Sequence, residues 1–247
     1  MRGRFRMGKM PLPLKRPVLR GTHVPPAMKK NNPLPPIHAL VATLVLCLAV
    51  GGGAVFVLLK SRPAKSPYFG QYDASAPAAY DFQLTDQNAA PWRLKDQRGN
   101  VVLLSFGFTR CANICPTTLA NLAAICRLLP PEAQARVRVI FISLDERDAP
   151  SVLKNYVPFF NERFIGLTGA PGDIGKVACA YGASYRKAPA VSGDKDDYMI
   201  DHSTYTTLID PEGKSRLLYR FEQMPDSPRI ANDILRVLDM PPLATAP

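Results

Sequence analysis

The sequence beyond residue 80 predicts an α/β fold, and a strand, helix, strand pattern is the clearest sign of it. Two continuous apolar runs, VVLLSFGF at 101–108 and VRVIFISL at 137–144, are typical of buried strands. The segment between them repeats apolar residues at helical spacing, at Leu119, Leu122, Ile125 and Leu129. Because a connection of this length favours a right-handed parallel crossover, we expect the two strands to be parallel.

The neighbouring segments extend this unit on both sides. Upstream, DFQLTDQ (81–87) and PWRLKDQRGN (91–100) predict a β-hairpin. Downstream, SVLKNYVPFF (151–160) predicts a helix and FIGLTG (164–169) a short strand or turn. PGDIGKVACAYG (171–182) predicts a further helix, with a proline near its start and a glycine at its end.

The last elements complete the predicted order. Residues 198–221 predict two strands joined by the turn sequence DPEG, and DSPRIANDILRVLD (226–239) predicts an amphipathic helix capped by Asp226 or Ser227. The order is then β-hairpin, β, α, β, α, α, β, β, α. It is the order of an α/β sandwich of thioredoxin type with an N-terminal β-hairpin, which we expect to occupy residues 81–242.

The positive charge is concentrated at the N-terminus. Of a net charge of +11, nine positive residues lie before residue 38, where there is no acidic residue. The remainder is close to neutral, so the charge does not indicate a nucleic-acid-binding domain. Residues 1–37 are also rich in proline and are expected to form a disordered tail on the cytoplasmic side.

An uncharged run of 21 residues, 39–59, follows the tail. About 20 apolar helical residues cross the hydrocarbon core of a bilayer, so we predict a single transmembrane helix at 38–60. Lys60, Arg62 and Lys65 follow the run directly, which favours an uncleaved anchor over a signal peptide. The larger positive charge before the run predicts a cytoplasmic N-terminus and a domain on the far side of the membrane. Residues 61–80 are expected to be a linker.

The five cysteines fall into two groups. Cys47 lies in the uncharged run, and Cys126 and Cys179 lie among apolar residues on predicted helices, where cysteine usually acts as a small buried hydrophobe. Cys111 and Cys115 instead follow a buried strand, at the carboxyl edge of the sheet, where open α/β folds place their sites. Pro116 suits the first turn of a helix, so Cys115 is expected at a helix start. The positive end of the helix dipole and the nearby charge of Arg110 then favour the ionised, thiolate form of both cysteines.

The Cys111–Cys115 pair is compatible with a redox switch or with a metal clamp, and a third ligand would separate the two. His202 is the one histidine in the predicted soluble domain, because His23 and His38 precede it. Two thiolates and one imidazole suit Cu(I), whereas a closed zinc site would need a fourth ligand. The spacing alone does not place His202 beside the cysteines.

These residues resemble the Sco (SenC) family of membrane-anchored copper proteins that serve cytochrome c oxidase assembly. The resemblance extends over about residues 80–240 and includes GNVVLLSFGFTRCANICPTTL, FISLDERDAP and DHSTYTTLIDPEGK. It implies a thioredoxin-like fold and copper ligation by Cys111, Cys115 and His202, as Cu(I) and in some states Cu(II). It also implies delivery of that copper to the dinuclear copper site of cytochrome c oxidase subunit II, with other periplasmic copper chaperones or thiol reductants as further partners.

Other functions remain open alongside copper delivery. One is a thiol–disulfide oxidoreductase that reduces the cysteines of the recipient site, using Cys111 and Cys115 as its redox pair. Another is a thioredoxin-like peroxidase with one reactive cysteine. The expected location is the bacterial inner membrane, with the domain in the periplasm; the alternative is the mitochondrial inner membrane facing the intermembrane space.

The chain departs from the family pattern at two places. Ala112 and Asn113 stand where the family often has proline and aspartate, which removes a carboxylate near the cysteines. The segment DERD at 145–148 is one residue shorter than the common DPERD, so this loop is expected to be reshaped. We interpret it as a solvated loop in which Asp145 remains available as a neighbour of the site.

Overall fold

The computed structural model describes residues 36–60, 66–188 and 198–243, with residues 54–60 as backbone only. The chain divides into two units, Met1–Pro63 and Ala64–Pro247. In the first unit, helix α1 spans Ile37–Lys60, and nearly all of the predicted tail at 1–37 lies outside the described residues. Within the part of the chain that is described, no helix has both the length and the apolar character needed to cross a membrane. The transmembrane anchor predicted at 38–60 is therefore not supported by the structure.

The second unit is built on an eight-stranded mixed sheet in the order β1-β10-β9-β4-β5-β6-β2-β3. A separate two-stranded sheet pairs β7 with β8. The strands are β1 Gln71–Tyr72, β2 Gln83–Asp86, β3 Pro91–Arg93, β4 Val101–Gly107, β5 Val137–Ser143, β6 Ile165–Thr168, β7 Tyr185–Lys187, β8 Ile200–His202, β9 Tyr205–Ile209 and β10 Ser215–Arg220.

Helices connect these strands. They are α2 Ile114–Leu128, α3 Pro131–Ala135, α4 Pro150–Tyr156, α5 Pro171–Ala180 and α6 Ser227–Val237. Short 3-10 helices span Leu94–Gln97, Val157–Phe159 and Phe221–Gln223. The closing helix begins at Ser227 after Asp226, as predicted, although the side chain of Asp226 makes no capping hydrogen bond.

The core of the sheet is β4 and its two neighbours. Every residue of β4 is buried, as the continuous apolar run predicts. β4 pairs in parallel with β5, from Val101 opposite Val137 to Gly107 opposite Ser143, which confirms the predicted parallel crossover. On its other side β4 pairs antiparallel with β9. The carboxyl end of β4 is therefore held between two strands, and the loop that follows it starts from a fixed point.

The turn between β9 and β10 also follows the prediction from DPEG. The amide of Gly213 donates a hydrogen bond to the carbonyl of Asp210 at 2.8 Å, and the Asp210 side chain accepts one from the amide of Lys214 at 2.8 Å. Gly213 has a φ of +70°. A residue with a Cβ adopts this conformation only with strain, so glycine is favoured here.

Two parts of the sheet differ from the sequence interpretation. The segment 61–80, predicted as a linker, contributes β1, in which Gln71 pairs with Leu218. The second difference is the hairpin β7–β8, because β7 was not predicted as a strand at all; Tyr185 lies opposite His202 in this hairpin. The strands that were missed, β1 and β7, are too short to show a recognisable alternation of apolar and polar residues.

Candidate metal centre

The two cysteines occupy the turn between β4 and α2. The amide of Cys111 donates to the carbonyl of Phe108 at 3.3 Å, which closes a turn after the strand. α2 begins at Ile114, so Cys115 lies in its first turn, as predicted. The Cys115 amide is one of the N–H groups that have no partner within the helix, and it donates to the sulfur of Cys111 at 3.5 Å. The helix start therefore orients Cys111 as well as carrying Cys115.

The end of β4 packs directly against the second cysteine. A Cβ atom at Gly107 would lie 2.7 Å from the Cys115 sulfur and 2.6 Å from the ring of Phe141. Neither neighbour has room to move in a packed interior, so glycine is required at 107. Cys115 is 3% exposed and Cys111 is half-buried, and both are free thiols. Cys111 is therefore the sulfur that an incoming molecule can reach.

His202 at the end of β8 completes the group. Its Nε2 lies 3.5 Å from the Cys115 sulfur, and its Nδ1 lies 2.7 Å from the carbonyl oxygen of Ser203. Because a carbonyl only accepts, Nδ1 must carry a proton, and in the neutral form of the ring the lone pair is then on Nε2, facing the sulfur. The ring of Phe108 meets the imidazole edge to face, with centroids 5.8 Å apart. The imidazole is thus held in the tautomer that binds a metal through Nε2.

The donor atoms of Cys111, Cys115 and His202 all lie within 4.8 Å of one another. Among the described residues, this is the group of cysteine, histidine and acidic side chains close enough to hold a metal ion. Metal–sulfur bonds of about 2.3 Å place the donors of a three-coordinate ion about 4 Å apart. The group therefore fits a soft ion of low coordination number with little movement.

The two thiols differ strongly in acidity. The pKa of Cys111 falls to about 3, chiefly because the side chain of Cys115 donates a hydrogen bond to its thiolate. The pKa of Cys115 is raised well above its ordinary value because its proton is held by Cys111 and the sulfur is buried. The prediction that both thiolates form readily is therefore wrong for Cys115. The pair carries one thiolate, and a bound cation must displace the proton of the other.

The remaining cysteines lie outside this group. Cys47 and Cys179 are exposed, so the prediction that Cys179 is buried is wrong. Cys126 is partly buried, and burial raises its pKa to about 11. Arg110, predicted to favour the thiolates, is exposed, and the lowered pKa of Cys111 arises from hydrogen bonds instead.

Both aspartates of the loop 145–148 are buried, contrary to the sequence interpretation of a solvated loop. Asp145 is 2% exposed and Asp148 is 1% exposed. Asp145 forms an ion pair with Arg147 at 2.6 Å and accepts a hydrogen bond from the Tyr198 hydroxyl at 2.9 Å, so it is not a free carboxylate beside the cysteines. The loop follows β5 at the same edge of the sheet as the cysteine turn. That position after a buried strand was the one signal in the sequence that could have predicted a place for this loop beside the cysteine turn.

Tyr156 provides an unusual polar group close to the cysteines. Its ring packs on Phe141 with centroids 5.7 Å apart, and its hydroxyl is buried without a hydrogen-bond partner in the described part of the chain. Burial raises the pKa of Tyr156, and the negative charge of the cysteine pair raises it further. The hydroxyl therefore stays protonated and uncharged.

Comparison with known proteins identifies the family. The model of the SCO1/SenC family matches residues 70–239, which is well over half of the chain. The chain belongs to the SCO1/SenC family. A "SCO2-like protein" of Rickettsia felis is 39% identical over 177 residues, which cover 69% of this chain and 84% of that protein.

Solved structures of the SCO1/SenC family have the same fold. Apo Sco1 of Thermus thermophilus is 36% identical, covers 70% of this chain and 99% of its own, and superposes with a TM-score of 0.63. ScoI of Bradyrhizobium japonicum, solved with copper bound, is 33% identical, covers 65% of this chain and 99% of its own, with a TM-score of 0.57. The prediction of a mixed α/β fold of thioredoxin type is confirmed.

Proposed function

We propose that this SCO1/SenC protein is a copper chaperone that binds one copper ion through Cys111, Cys115 and His202 and passes it to another protein. The observation that carries the proposal is the convergence of two sulfurs and one imidazole nitrogen within 4.8 Å. Thiolates are soft ligands that select Cu(I), and imidazole is compatible with them. The copper-bound ScoI of Bradyrhizobium japonicum supports copper as the ion.

The difference in exposure between the donors suits transfer. Copper passes between proteins by ligand exchange, in which a thiolate of the recipient binds the ion while one bond to the donor breaks. Cys111 is half-buried and Cys115 is buried, so Cys111 is the ligand that a recipient reaches first. Because His202 is held by Ser203 and Phe108, the site keeps its shape as the ion leaves.

The recipient and the location are part of the same proposal. The family resemblance supports the dinuclear copper site of cytochrome c oxidase subunit II as the recipient. The uncharged run at 39–59, with its positive flanks, supports membrane attachment and a periplasmic domain on sequence grounds alone. Extraction of cell membranes at alkaline pH tests the attachment: an anchored chain stays in the pellet, and release into the supernatant contradicts it.

A second candidate function is thiol–disulfide exchange with the recipient's cysteines. The observation that favours it is the asymmetry of the two thiols, with the pKa of Cys111 lowered to about 3 and that of Cys115 raised. An accessible thiolate beside a protonated partner is the arrangement used for attack on a disulfide. His202 separates the two functions, since copper binding needs the imidazole as a ligand and disulfide exchange does not.

The test is the affinity and stoichiometry of Cu(I) binding to the reduced full chain, by competition with a chromophoric chelator. We expect one tightly bound copper in the wild type, and at least about a hundredfold weaker binding in Cys111→Ser, Cys115→Ser and His202→Ala, because each removes a direct ligand. Cys126→Ser and Cys179→Ser are the matched controls and should bind as the wild type does. Weak binding that is unaffected by His202→Ala, together with rapid reduction of disulfide substrates, would establish the oxidoreductase instead.

A further inference from the structure

The loop 145–148 lies between the two halves of the metal site and is bonded to both. It follows β5, whose last residue, Ser143, lies opposite Gly107 at the end of β4. The Ser143 hydroxyl donates to Asp148 at 2.6 Å and accepts from the amide of Asp145 at 3.1 Å. The carboxylate of Asp148 and the backbone of Asp145 are thereby fixed to the end of the strand beside the cysteine turn.

Asp148 holds the cysteine turn. Its carboxylate accepts hydrogen bonds from the amide of Thr109 at 2.8 Å and from the Thr109 hydroxyl at 2.6 Å. Thr109 lies two residues before Cys111, in the turn that the Phe108 carbonyl closes. A buried carboxylate with three donors is costly to displace, because any donor left without it would be unsatisfied. Asp148 therefore determines where the turn leaves β4.

The other residues of the loop hold the hairpin that carries His202. The Tyr198 hydroxyl donates to Asp145, and the guanidinium of Arg147 stacks on the Tyr198 ring at 3.6 Å and donates to the Tyr198 carbonyl at 2.9 Å. On the partner strand, Lys187 pairs with Glu146 at 2.8 Å. One loop is thus connected to β7, through Lys187, and to the segment that leads into β8, through Tyr198.

His202 needs this support because of its place in the sheet. Among the described residues, the hairpin β7–β8 forms no ladder with the eight-stranded sheet, so main-sheet hydrogen bonds do not position β8. After His202 the chain enters β9, which is paired with β4. The main sheet therefore holds the chain on one side of His202, and the contacts of Tyr198 hold it on the other.

We propose that the loop 145–148 is the positioning element of the cluster, with Asp148 acting on Cys111 through Thr109 and Asp145 acting on His202 through Tyr198. Asp148 and Asp145 lie outside the ligand group and bond to different segments, Asp148 to Thr109 and Asp145 to Tyr198, so their effects are separable. Residues that orient metal ligands through hydrogen bonds commonly change metal affinity by about tenfold or more. The copper readout below rests on the proposed function; the second readout does not.

The test is a double-mutant cycle on Cu(I) affinity, with the reduced full chain. Tyr198→Phe removes only the hydroxyl that reaches Asp145, and we expect about tenfold weaker binding. In the His202→Ala background the same change should have an effect below about twofold, because the ligand on which it acts is gone. Thr109→Val removes one donor to Asp148 and should weaken binding about three- to tenfold in both backgrounds.

Tyr219→Phe is the matched control. It also removes a tyrosine hydroxyl bonded to a buried aspartate, Asp233 at 3.1 Å, and should leave Cu(I) affinity within about twofold of the wild type. Glu146→Gln removes an exposed ion pair to the same hairpin and keeps the test valid if Tyr198→Phe unfolds; we expect about three- to fivefold weaker binding, again absent in His202→Ala. Equal losses from Tyr198→Phe in both backgrounds, or no loss in either, would overturn the proposal.

A second readout needs no copper. In the wild type, nuclear Overhauser contacts between the ring protons of Phe108 and His202 report the edge-to-face geometry. Tyr198→Phe should weaken these contacts, while Tyr219→Phe should preserve them. If the wild type binds no Cu(I), the proposed function fails, and this comparison still decides the role of the loop. Unchanged contacts in Tyr198→Phe would overturn that role whatever the copper result.

Discussion

Asp145 and Asp233 are two buried aspartates in different parts of the domain, and both accept a hydrogen bond from a tyrosine hydroxyl. Tyr198 donates to Asp145 at 2.9 Å, and Tyr219 donates to Asp233 at 3.1 Å. The other partners differ. Asp145 is paired with the guanidinium of Arg147, whereas Asp233 accepts hydrogen bonds from the backbone amides of Phe69 and Gly70, each at 2.9 Å.

The acidity of the two carboxylates differs as a result. Burial acts to raise the pKa of Asp145, but the hydrogen bonds and the charge of Arg147 lower it below its ordinary 3.8. Burial raises the pKa of Asp233 above 3.8, and the amides of Gly70 and Phe69 only partly oppose it. A full positive charge compensates a buried carboxylate, whereas amide dipoles do so incompletely. The carboxylate beside the metal site is therefore the one whose charged form is favoured by folding.

The largest expected effect is that of Asp145→Ala. The change leaves Arg147, whose side chain is 17% exposed, without its carboxylate, and we expect a loss of about 3 kcal/mol in the free energy of unfolding. Urea denaturation measures it, with Asp96→Ala as a control at an exposed aspartate. A loss below about 1 kcal/mol would mean that Arg147 is compensated by solvent and that the contrast with Asp233 is smaller than we infer.

Asp233→Ala should lower the free energy of unfolding by less than Asp145→Ala, and it should loosen a different part of the domain. It leaves the amides of Phe69 and Gly70 and the Tyr219 hydroxyl without an acceptor, and we expect a loss of about 2 kcal/mol. Hydrogen exchange should become faster at the amides of Phe69 and Gly70 but not in β4. Exchange that speeds up uniformly across the sheet would show that Asp233 supports the whole domain and not the attachment of the segment before β1.

The pH dependence should have opposite signs at the two sites. The pKa of Asp145 is lowered on folding, so its contribution to stability is present above 3.8 and is lost as the pH falls through its folded pKa. The pKa of Asp233 is raised, so its contribution is complete below 3.8 and is lost as the pH rises through its folded pKa. Urea unfolding between about pH 3 and pH 7 tests this. The stability deficit of Asp145→Asn should grow with rising pH, and that of Asp233→Asn should shrink; the same trend in both variants would refute the difference.

The smallest expected effect is that of Tyr156→Phe. Unlike the hydroxyls of Tyr198 and Tyr219, that of Tyr156 is buried without a partner among the described residues. Its removal should leave the free energy of unfolding unchanged or raise it by up to about 1 kcal/mol, whereas Tyr219→Phe should lower it by about 1 kcal/mol. Thermal unfolding of both variants compares them directly. A clear loss of stability in Tyr156→Phe would reveal a bonded water or ion at this hydroxyl.

Much of the central sheet could be predicted because its signals are local. The buried runs of β4 and β5, the helix between them and the DPEG turn each express their structure within a few residues. The short strands could not be predicted in the same way. β1 pairs with a strand far away in the chain, with Gln71 opposite Leu218, and its two residues carry no recognisable pattern. The burial of a single cysteine also depends on what packs over it, which is why the prediction for Cys179 failed.

For the metal site, the sequence alone determined the chemistry of the donors. It identified two cysteines after a buried strand, one of them at a helix start, and one histidine near a later strand, because residue type and local structure are written in consecutive residues. Only the tertiary structure decided that the His202 nitrogen reaches Cys115 and that a single thiolate forms. It also decided that Asp145 and Asp148 are buried between the two halves. These properties depend on distances and burial between segments far apart in the chain, and such distances arise only when the sheet has formed.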